Sequence, residues 1–355
     1  MSKKVIITGV SGQDGSYMAD YLLDNTDLEV YGMVRRSAKP DYSNLNLSIE
    51  NERFHFVTGD LSDSNSIENL IREIKPDYFI NFASQSFVGV SWKIPEQTFD
   101  VTATGVLRIL ESIRKYAPQC RFYSAGSSEE MGDVVYTPQD LNHPIRPRSP
   151  YGAAKAAARH ITKVYRESYN LYAIHCILYN HESERRGEEF VTRKITKGIA
   201  RIKNAIKNNQ LFKPIELGNI DSKRDWSHAQ DFIEAIWIML NQDKPKEYLL
   251  SSNEVHSIRE FVKIAFNKAN MPTQEWKGEG INEKLYLDDY ITSSNFSNLA
   301  ESPVVEINPK FYRPAEVNLL FGDSSVAKRE LNWKPKISFD KLVERMVVND
   351  INLIS

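Results

Sequence analysis

Cysteine is scarce in this chain: 355 residues carry only Cys120 and Cys176. Two thiols cannot build a disulfide framework, which predicts a reducing, cytoplasmic setting and buried cysteines behaving as small apolar groups. An excess of charge of one sign is missing as well. The 45 basic residues stand against 47 acidic ones, a formal net of −2, so no global field draws the protein to nucleic acid or to an anionic membrane. No apolar run reaches the roughly 18 residues of a membrane span. The most apolar stretch, FIEAIWIML (232–240), is short and contains Glu234. At the N-terminus the run after Lys3 and Lys4 breaks at Gly9, too early for a signal-peptide core, and reads as a first strand. Tandem repeats and low-complexity tracts are absent, and no metal site is expected.

What is present is the composition of an ordinary globular protein, 41% hydrophobic and 26% charged. Through about residue 180, short apolar runs alternate with helical patterns: VIIT, a helix from about residue 15, EVYGMV, RFHFVTG, DYFINFA, ATGVLRILESIRKYA, RFYSAG and AIHCILYN. The alternation predicts βαβ units, hence an α/β fold with a Rossmann-type, doubly wound parallel sheet. Beyond residue 180 the pattern is irregular, with polar stretches such as KNAIKNNQLFK and DDYITSSNFSNLAESPVV beside the helical DFIEAIWIML and SIREFVKIAF. Residues 1–180 are expected to form the cofactor-binding domain. Residues 181–355 are expected to form a smaller, mixed C-terminal substrate-binding lobe, some segments of which return to the first domain.

Gly9, Gly12 and Gly15 lie between the VIIT strand and the helix that follows it. In that context a glycine loop lets backbone approach a pyrophosphate at a helix N-terminus. The next strand ends in YGMVRRS, so Arg35 and Arg36 stand where an NAD-binding chain usually places a carboxylate. Paired guanidiniums suit a 2′-phosphate, which favours NADP, although one of the two could be a solvated surface charge. Asp60 and Leu61 follow the third strand, where a carboxylate could meet an adenine amino group. In RSPYGAAKAAARH, Tyr151 and Lys155 are spaced i, i+4 on one helix face, with Ser149 as N-cap and Pro150 in the first turn. A lysine beside a tyrosine is expected to favour phenolate and lower its pKa toward that of a general base.

At this point the residues resemble a known group. TGVSGQDGSYMADYLL, VRRS, NFASQSFVGVSW, RPRSPYGAAKAAA, LYNHESERRGEEFVTRKIT, LGNIDSKRDWSHAQDF and FYRPAEVNLLFGDSSVAK resemble the GDP-mannose 4,6-dehydratases of the extended short-chain dehydrogenase/reductase superfamily along almost the whole chain. The resemblance implies that Tyr151 is the base on the sugar C4 hydroxyl, Lys155 its partner on the nicotinamide ribose, Ser127 a hydrogen bond to the C4 oxygen, and Glu129 the acid/base that removes the C5 proton and expels the C6 hydroxyl as water. Hydride would leave C4 for NADP and return to C6, so no cofactor is consumed. The resemblance also places Gln13, Asp14, Ala83, Gln85, Ser86, His181 and Arg186 at the cofactor. It places Ser86, Asn180, Arg186, Lys194, Arg224, Arg313 and Glu316 at a GDP-sugar. Arginine forks match a diphosphate; Arg185 and Arg193 could equally be salt-bridge partners, and His228 reads as a structural helix-start residue.

The chain departs from the family in places. Serine replaces threonine at Ser127, Glu130 stands where the family has an apolar residue, and Met131 where it has an aromatic one. Glu130 is expected to point away from Glu129 if the segment is extended. The segment SAKPDYSNLN after the paired arginines is also unusual, as are residues 204–213 and 288–303. In the family that first segment reaches a neighbouring subunit, which implies a homodimer or homotetramer. GDP-N-acetylglucosamine or a GDP-heptose remains an alternative substrate, and nucleotide-sugar epimerase or reductase chemistry an alternative reaction.

Overall fold

Seven parallel strands form the central sheet of the computed structural model, which describes residues 2–288, 302–312 and 317–354. In chain order the first six are β1 (Lys4–Thr8), β2 (Glu29–Val34), β3 (Phe54–Thr58), β4 (Tyr78–Asn81), β5 (Arg121–Ala125) and β6 (Ala173–Leu178). Between them run α1 (Gln13–Asn25), α2 (Ser64–Ile74), the short α3 (Val88–Ser91) and α4 (Pro95–Phe99), then α5 (Gly105–Tyr116) and α6 (Pro150–Tyr169). A π-helical turn, Asp100–Thr104, joins α4 to α5, so the helix predicted near residue 103 grows out of an earlier one.

Strand sequences explain the layering. Side chains alternate faces with period two, so Val5 and Ile7 enter one core with Leu22, Phe232 and Ile236. Ile6 enters the opposite core with Ile67, Ile109 and Ile113. The same alternation places Tyr78 and Ile80 on the first side and Phe79 on the second. Both faces are covered, which is why these strands read as unbroken apolar runs. Cys120 and Cys176 are both buried, as expected of them.

The chain continues through β7 (Asn180–Glu182), α7 (Val191–Lys207), β8 (Ile215–Leu217), β9 (Lys223–Arg224), β10 (Trp226–His228), α8 (Ala229–Leu240) and β11 (Tyr248–Leu250). After these come β12 (His256–Ser257), α9 (Ile258–Lys268), β13 (Lys284–Leu285), β14 (Val305–Ile307) and β15 (Leu319–Leu320). β11 returns to the large sheet, whose order is β11-β6-β5-β4-β1-β2-β3. The remaining strands form small sheets, a parallel pair β10-β7 and the mixed β12-β9-β15 and β13-β14-β8. A second core brings α7, α9 and the C-terminal helix Phe339–Ile354 against β8, β13 and β14. α7 runs on through part of the polar stretch that reads as irregular, because Ile195, Ile199, Ile202 and Ile206 recur on the face packed against that core. Residues 289–301 and 313–316 lie outside the described residues, and with them most of the unusual 288–303 segment.

Strand order reverses between β1 and β4, and in sheets of this kind ligands bind outside the carboxyl ends of the strands at that switch point. The glycine loop follows β1, and residues 82–87 follow β4.

Candidate active site

The loop after β1 turns tightly enough that only glycine fits at two of its positions. Gly9 has φ +67°, and a methyl group there would lie 3.0 Å from the Ala83 nitrogen. A methyl at Gly15 would lie 2.3 Å from the Gly9 carbonyl oxygen, because the first turn of α1 is pressed onto the loop. Gly12 caps α1 without any side-chain hydrogen bond, which leaves first-turn amides to meet an anion. Across the switch point, the Thr8 hydroxyl donates to Asn81 at 2.6 Å and accepts from the Ala83 amide at 3.1 Å. Gln85 is held by its Nε2 donating to the Phe87 carbonyl, while its buried Oε1 has no hydrogen-bond partner among the described residues. An orphaned acceptor beside a cradle that a Cβ would fill fits a bound dinucleotide. Ser86 next to it is exposed.

Asp14 and Gln13 tie this loop to β7. Asp14 Oδ2 lies 2.9 Å from His181 Nε2. Gln13 donates to Asp14 and to the His181 carbonyl, and accepts from the Ser183 hydroxyl at 2.7 Å. The Gln13 side chain is therefore spent on holding protein. Burial opposes the charge on Asp14, but His181, Gln13 and Arg186 outweigh it and hold the carboxyl down at about 2. Burial likewise opposes charge on His181, and Asp14 overcomes it, raising the imidazole above its ordinary value. Arg35 and Arg36 are exposed at the end of β2. Asp60 is partly desolvated, yet its carboxyl is lowered by hydrogen bonds from Ser62 and by the fields of Arg35 and Arg108. Leu61 is buried, and its carbonyl accepts from Arg108.

Ser127, Glu129, Tyr151 and Lys155 converge beyond the carboxyl end of β5. Ser149 caps α6 by accepting from the Gly152 amide at 3.0 Å, with Pro150 in the first turn, as the sequence predicts. α6 meets the residues after β5 so closely that a methyl at Gly152 would lie 2.4 Å from the Glu129 carbonyl oxygen. Residues Ser128–Glu130 form a 3₁₀ turn capped by the Ser127 hydroxyl. Lys155 Nζ donates to the Ala125 carbonyl at 2.6 Å and sits 5.8 Å from the centre of the Tyr151 ring. Burial lowers the ammonium to about 8, against the opposing fields of Glu130 and Asp14.

Two expectations need correction here. The Tyr151 phenol is not lowered: burial pushes it well above its usual range, the Ser127 hydrogen bond and the Arg186 field offset this only in part, and Glu129 and Glu130 add to the rise. Desolvation is the largest influence on the phenol. Nor is the segment after Ser127 extended. Its 3₁₀ turn carries Glu130 inward, where it is fully buried, and Met131 likewise joins a small core with Ile177, Tyr179 and Leu249.

The other expected residues are spread along the crevice and the second lobe. Arg186 pairs with Glu182 at 3.1 Å, lies over the Phe190 ring, and acts on Asp14, His181 and Tyr151 through its charge. Asn180 on β7 has a buried Oδ1 with no hydrogen-bond partner among the described residues. Lys194 on α7 stands 3.2 Å from the centre of the Phe311 ring, and burial lowers its pKa. Arg224 on β9 is buried, with one Nη donating to the Lys223 carbonyl. Arg313 and Glu316 lie outside the described residues. Arg185 and Arg193 are taken up by Asp20 and Asp350 at 2.7 and 2.8 Å. His228 caps α8 and reaches Glu184, a structural role.

Sequence reasoning missed two residues. Glu184 gathers Tyr17, His228 and Arg345. His175 sits in the middle of β6, fully buried, 2.9 Å from Glu130. The one polar residue in AIHCIL, a strand buried on both faces, was the available signal.

Comparison with known proteins fits this geometry. The family described as GDP-mannose 4,6 dehydratase matches residues 6–346. A GDP-mannose 4,6 dehydratase of Drosophila melanogaster is 44% identical, over 99% of this chain and 87% of its own. The Homo sapiens enzyme of that name is 42% identical, over 98% of this chain and 91% of its own. Among solved structures, dTDP-glucose 4,6-dehydratase from Streptomyces venezuelae with NAD and TYD bound superposes with a TM-score of 0.79 at 19% identity, covering 98% of this chain and 96% of that one. The chain belongs to the GDP-mannose 4,6 dehydratase family.

Proposed function

We propose that this protein dehydrates GDP-mannose to GDP-4-keto-6-deoxymannose, with NADP as a retained cofactor. The observation that carries the reading is Glu129, held at 8% exposure on a capped turn beside Ser127 and packed against the first turn of the helix bearing Tyr151 and Lys155. A simple epimerase or reductase needs the tyrosine and lysine; an acid/base carboxylate beside them supplies the elimination. A nicotinamide dinucleotide held by the glycine loop would supply a hydride acceptor for the sugar C4 and the same hydride for C6. The cofactor phosphates are assigned to the Gly9–Gly15 loop, and Arg35 and Arg36 make NADP the better fit because guanidiniums complement a 2′-phosphate.

Within the site, Tyr151 takes the proton of the C4 hydroxyl while Ser127 donates to the same oxygen. Burial disfavours the Tyr151 phenolate, and a cation brought beside the phenol favours it. Base function is thereby coupled to filling of the site. Lys155, anchored on Ala125, orients the ribose. The 4-keto group acidifies the C5 proton, Glu129 removes it and protonates the departing C6 hydroxyl, and water leaves; the proton that Tyr151 took from the C4 hydroxyl is then delivered to C5, which completes the product and restores the base. Residues 1–180 hold the cofactor in this reading. The GDP-sugar is held by Asn180 at the end of the first domain and, from the second lobe, by Arg186, Lys194, Arg224, Arg313 and Glu316.

Exposed apolar side chains on α4 and α6, Phe99, Val164 and Tyr169, support a homo-oligomeric working form, a dimer or tetramer. The two buried thiols support a cytoplasmic setting. No helix among the described residues is long and apolar enough to cross a membrane.

The test is incubation of the purified protein with GDP-mannose and with other GDP-sugars, with product mass as the readout. Loss of one water from GDP-mannose is expected. Loss from a GDP-N-acetylglucosamine or GDP-heptose alone would move the substrate, and no loss from any would overturn the reading.

A further inference from the structure

Directly behind the reactive turn lies an acid and a base that no step above uses. Glu130 Oε1 accepts the Ser127 amide at 2.8 Å and lies 2.9 Å from His175 Nε2, and both side chains are fully buried. Glu130 Oε2 and His175 Nδ1 have no hydrogen-bond partner among the described residues. Gly126 makes the room: a methyl there would lie 2.4 Å from His175 Nε2 and 2.8 Å from Glu130 Oε1. A helix-capping glutamate needs only the amide. Carrying a buried carboxylate against an imidazole is costly and asks for a further role.

We propose that Glu130, clamped by His175, is a positioning residue for the dehydration site: its carboxylate fixes the Ser127–Glu129 turn against Tyr151 and stands behind the tyrosine and the lysine. The groups facing this carboxylate come from two elements besides its own turn. From α6 they are Tyr151 and Lys155, on both of which Glu130 acts electrostatically in the upward direction. From β6 they are His175 and the Cys176 thiol, whose pKa burial and Glu130 both raise. Beyond His175 lies Glu247, which feels the imidazole and is itself paired with Arg159 at 3.0 Å and Arg166 at 3.5 Å. Asp14 acts on Lys155 and Arg186 on Tyr151 from the cofactor side.

The inference rests on the dehydratase reading, and its test separates the two. Wild-type protein is first shown to release water from a GDP-hexose; failure there is failure of that reading and not of this one. Glu130→Gln keeps an acceptor for the Ser127 amide and deletes the charge. Both limbs of its kcat/KM profile are expected to move toward lower pH by about one unit, since tyrosine and lysine lose the same upward influence. Glu130→Leu removes the acceptor as well and is expected to lower kcat about tenfold or more with little change in KM, the mark of lost geometry in the reacting complex. A merely structural pair would lower Tm in both variants and leave the pH profile superimposed on wild type. That result, or limbs moving in opposite directions, overturns the proposal. Should Glu130→Gln not fold, the double variant Glu130→Gln/His175→Asn puts a neutral amide pair in the same space and carries the same expected shift.

Discussion

Lys155 Nζ donates to the Ala125 carbonyl at 2.6 Å, which fixes the lysine to the last residue of β5 while the ammonium stays 5.8 Å from the centre of the Tyr151 ring. The pair is thus built from one helix and one strand end, and its orientation depends on both.

Tyr151→Phe keeps the ring in its buried site and removes the hydroxyl proposed as the base. The expected loss in kcat is roughly 10²- to 10⁴-fold, the range for general acid–base catalysis, with Tm near that of the wild type. An activity loss below tenfold in steady-state turnover would place the base elsewhere.

Glu129→Gln should separate two halves of the reaction. Oxidation at C4 does not need the carboxylate, whereas elimination does. Turnover is expected to fall roughly 10²-fold or more, while reduced nicotinamide accumulates on mixing with substrate, visible by its absorbance. Unimpaired turnover would favour epimerase or reductase chemistry.

Arg35→Asp should weaken NADP more than NAD. A hydrogen bond to a charged group contributes about 1.5–3 kcal/mol, so the preference should change by roughly ten- to a hundredfold. Equal weakening of both, measured by calorimetric titration, would remove Arg35 from the 2′-phosphate.

Gly15→Ala places a methyl 2.3 Å from backbone that cannot yield without moving β1 or α1. Destabilisation of roughly 1–3 kcal/mol is expected from overpacking, together with loss of cofactor binding. Unchanged Tm and affinity would show that the loop is looser than its contacts imply.

The Asp14–His181 clamp should leave a pH signature. Asp14 falls from an ordinary 3.8 to about 2, so its contribution is present above about pH 4 and fades as pH drops through its folded value. His181 is raised from 6.5, so its contribution is present below that value and fades as pH climbs through the elevated one. The Tm difference between wild type and Asp14→Asn should therefore be widest between about pH 4 and 6.5 and shrink on the alkaline side. A difference that stays constant into alkali would mean the pair is not ionic.

Much of this molecule could be read without coordinates, because local rules govern it. Short, β-branched apolar runs make VIIT and AIHCIL legible as strands buried on both faces, and the Ser149–Pro150 start of α6 follows from capping alone. The spaced glycines and the i, i+4 pair of Tyr151 and Lys155 are placed in the structure where the sequence puts them, on the loop after β1 and on one face of α6. Helical periodicity was obscured only where polar residues dilute it, as at the end of α7.

The order of residues alone specified the parallel strands, the tight glycine turn after β1 and the shared helix face of Tyr151 and Lys155, since each depends on neighbours a few residues away. Tertiary structure alone decided their electrostatics. The direction of the Tyr151 shift comes from desolvation by the packed fold. The ionic pairs Asp14–His181 and Arg193–Asp350 join residues 167 and 157 positions apart, and Glu130–His175 joins residues 45 apart. Coulombic interaction and burial depend on distance in space, and at such separations along the chain only folding fixes that distance.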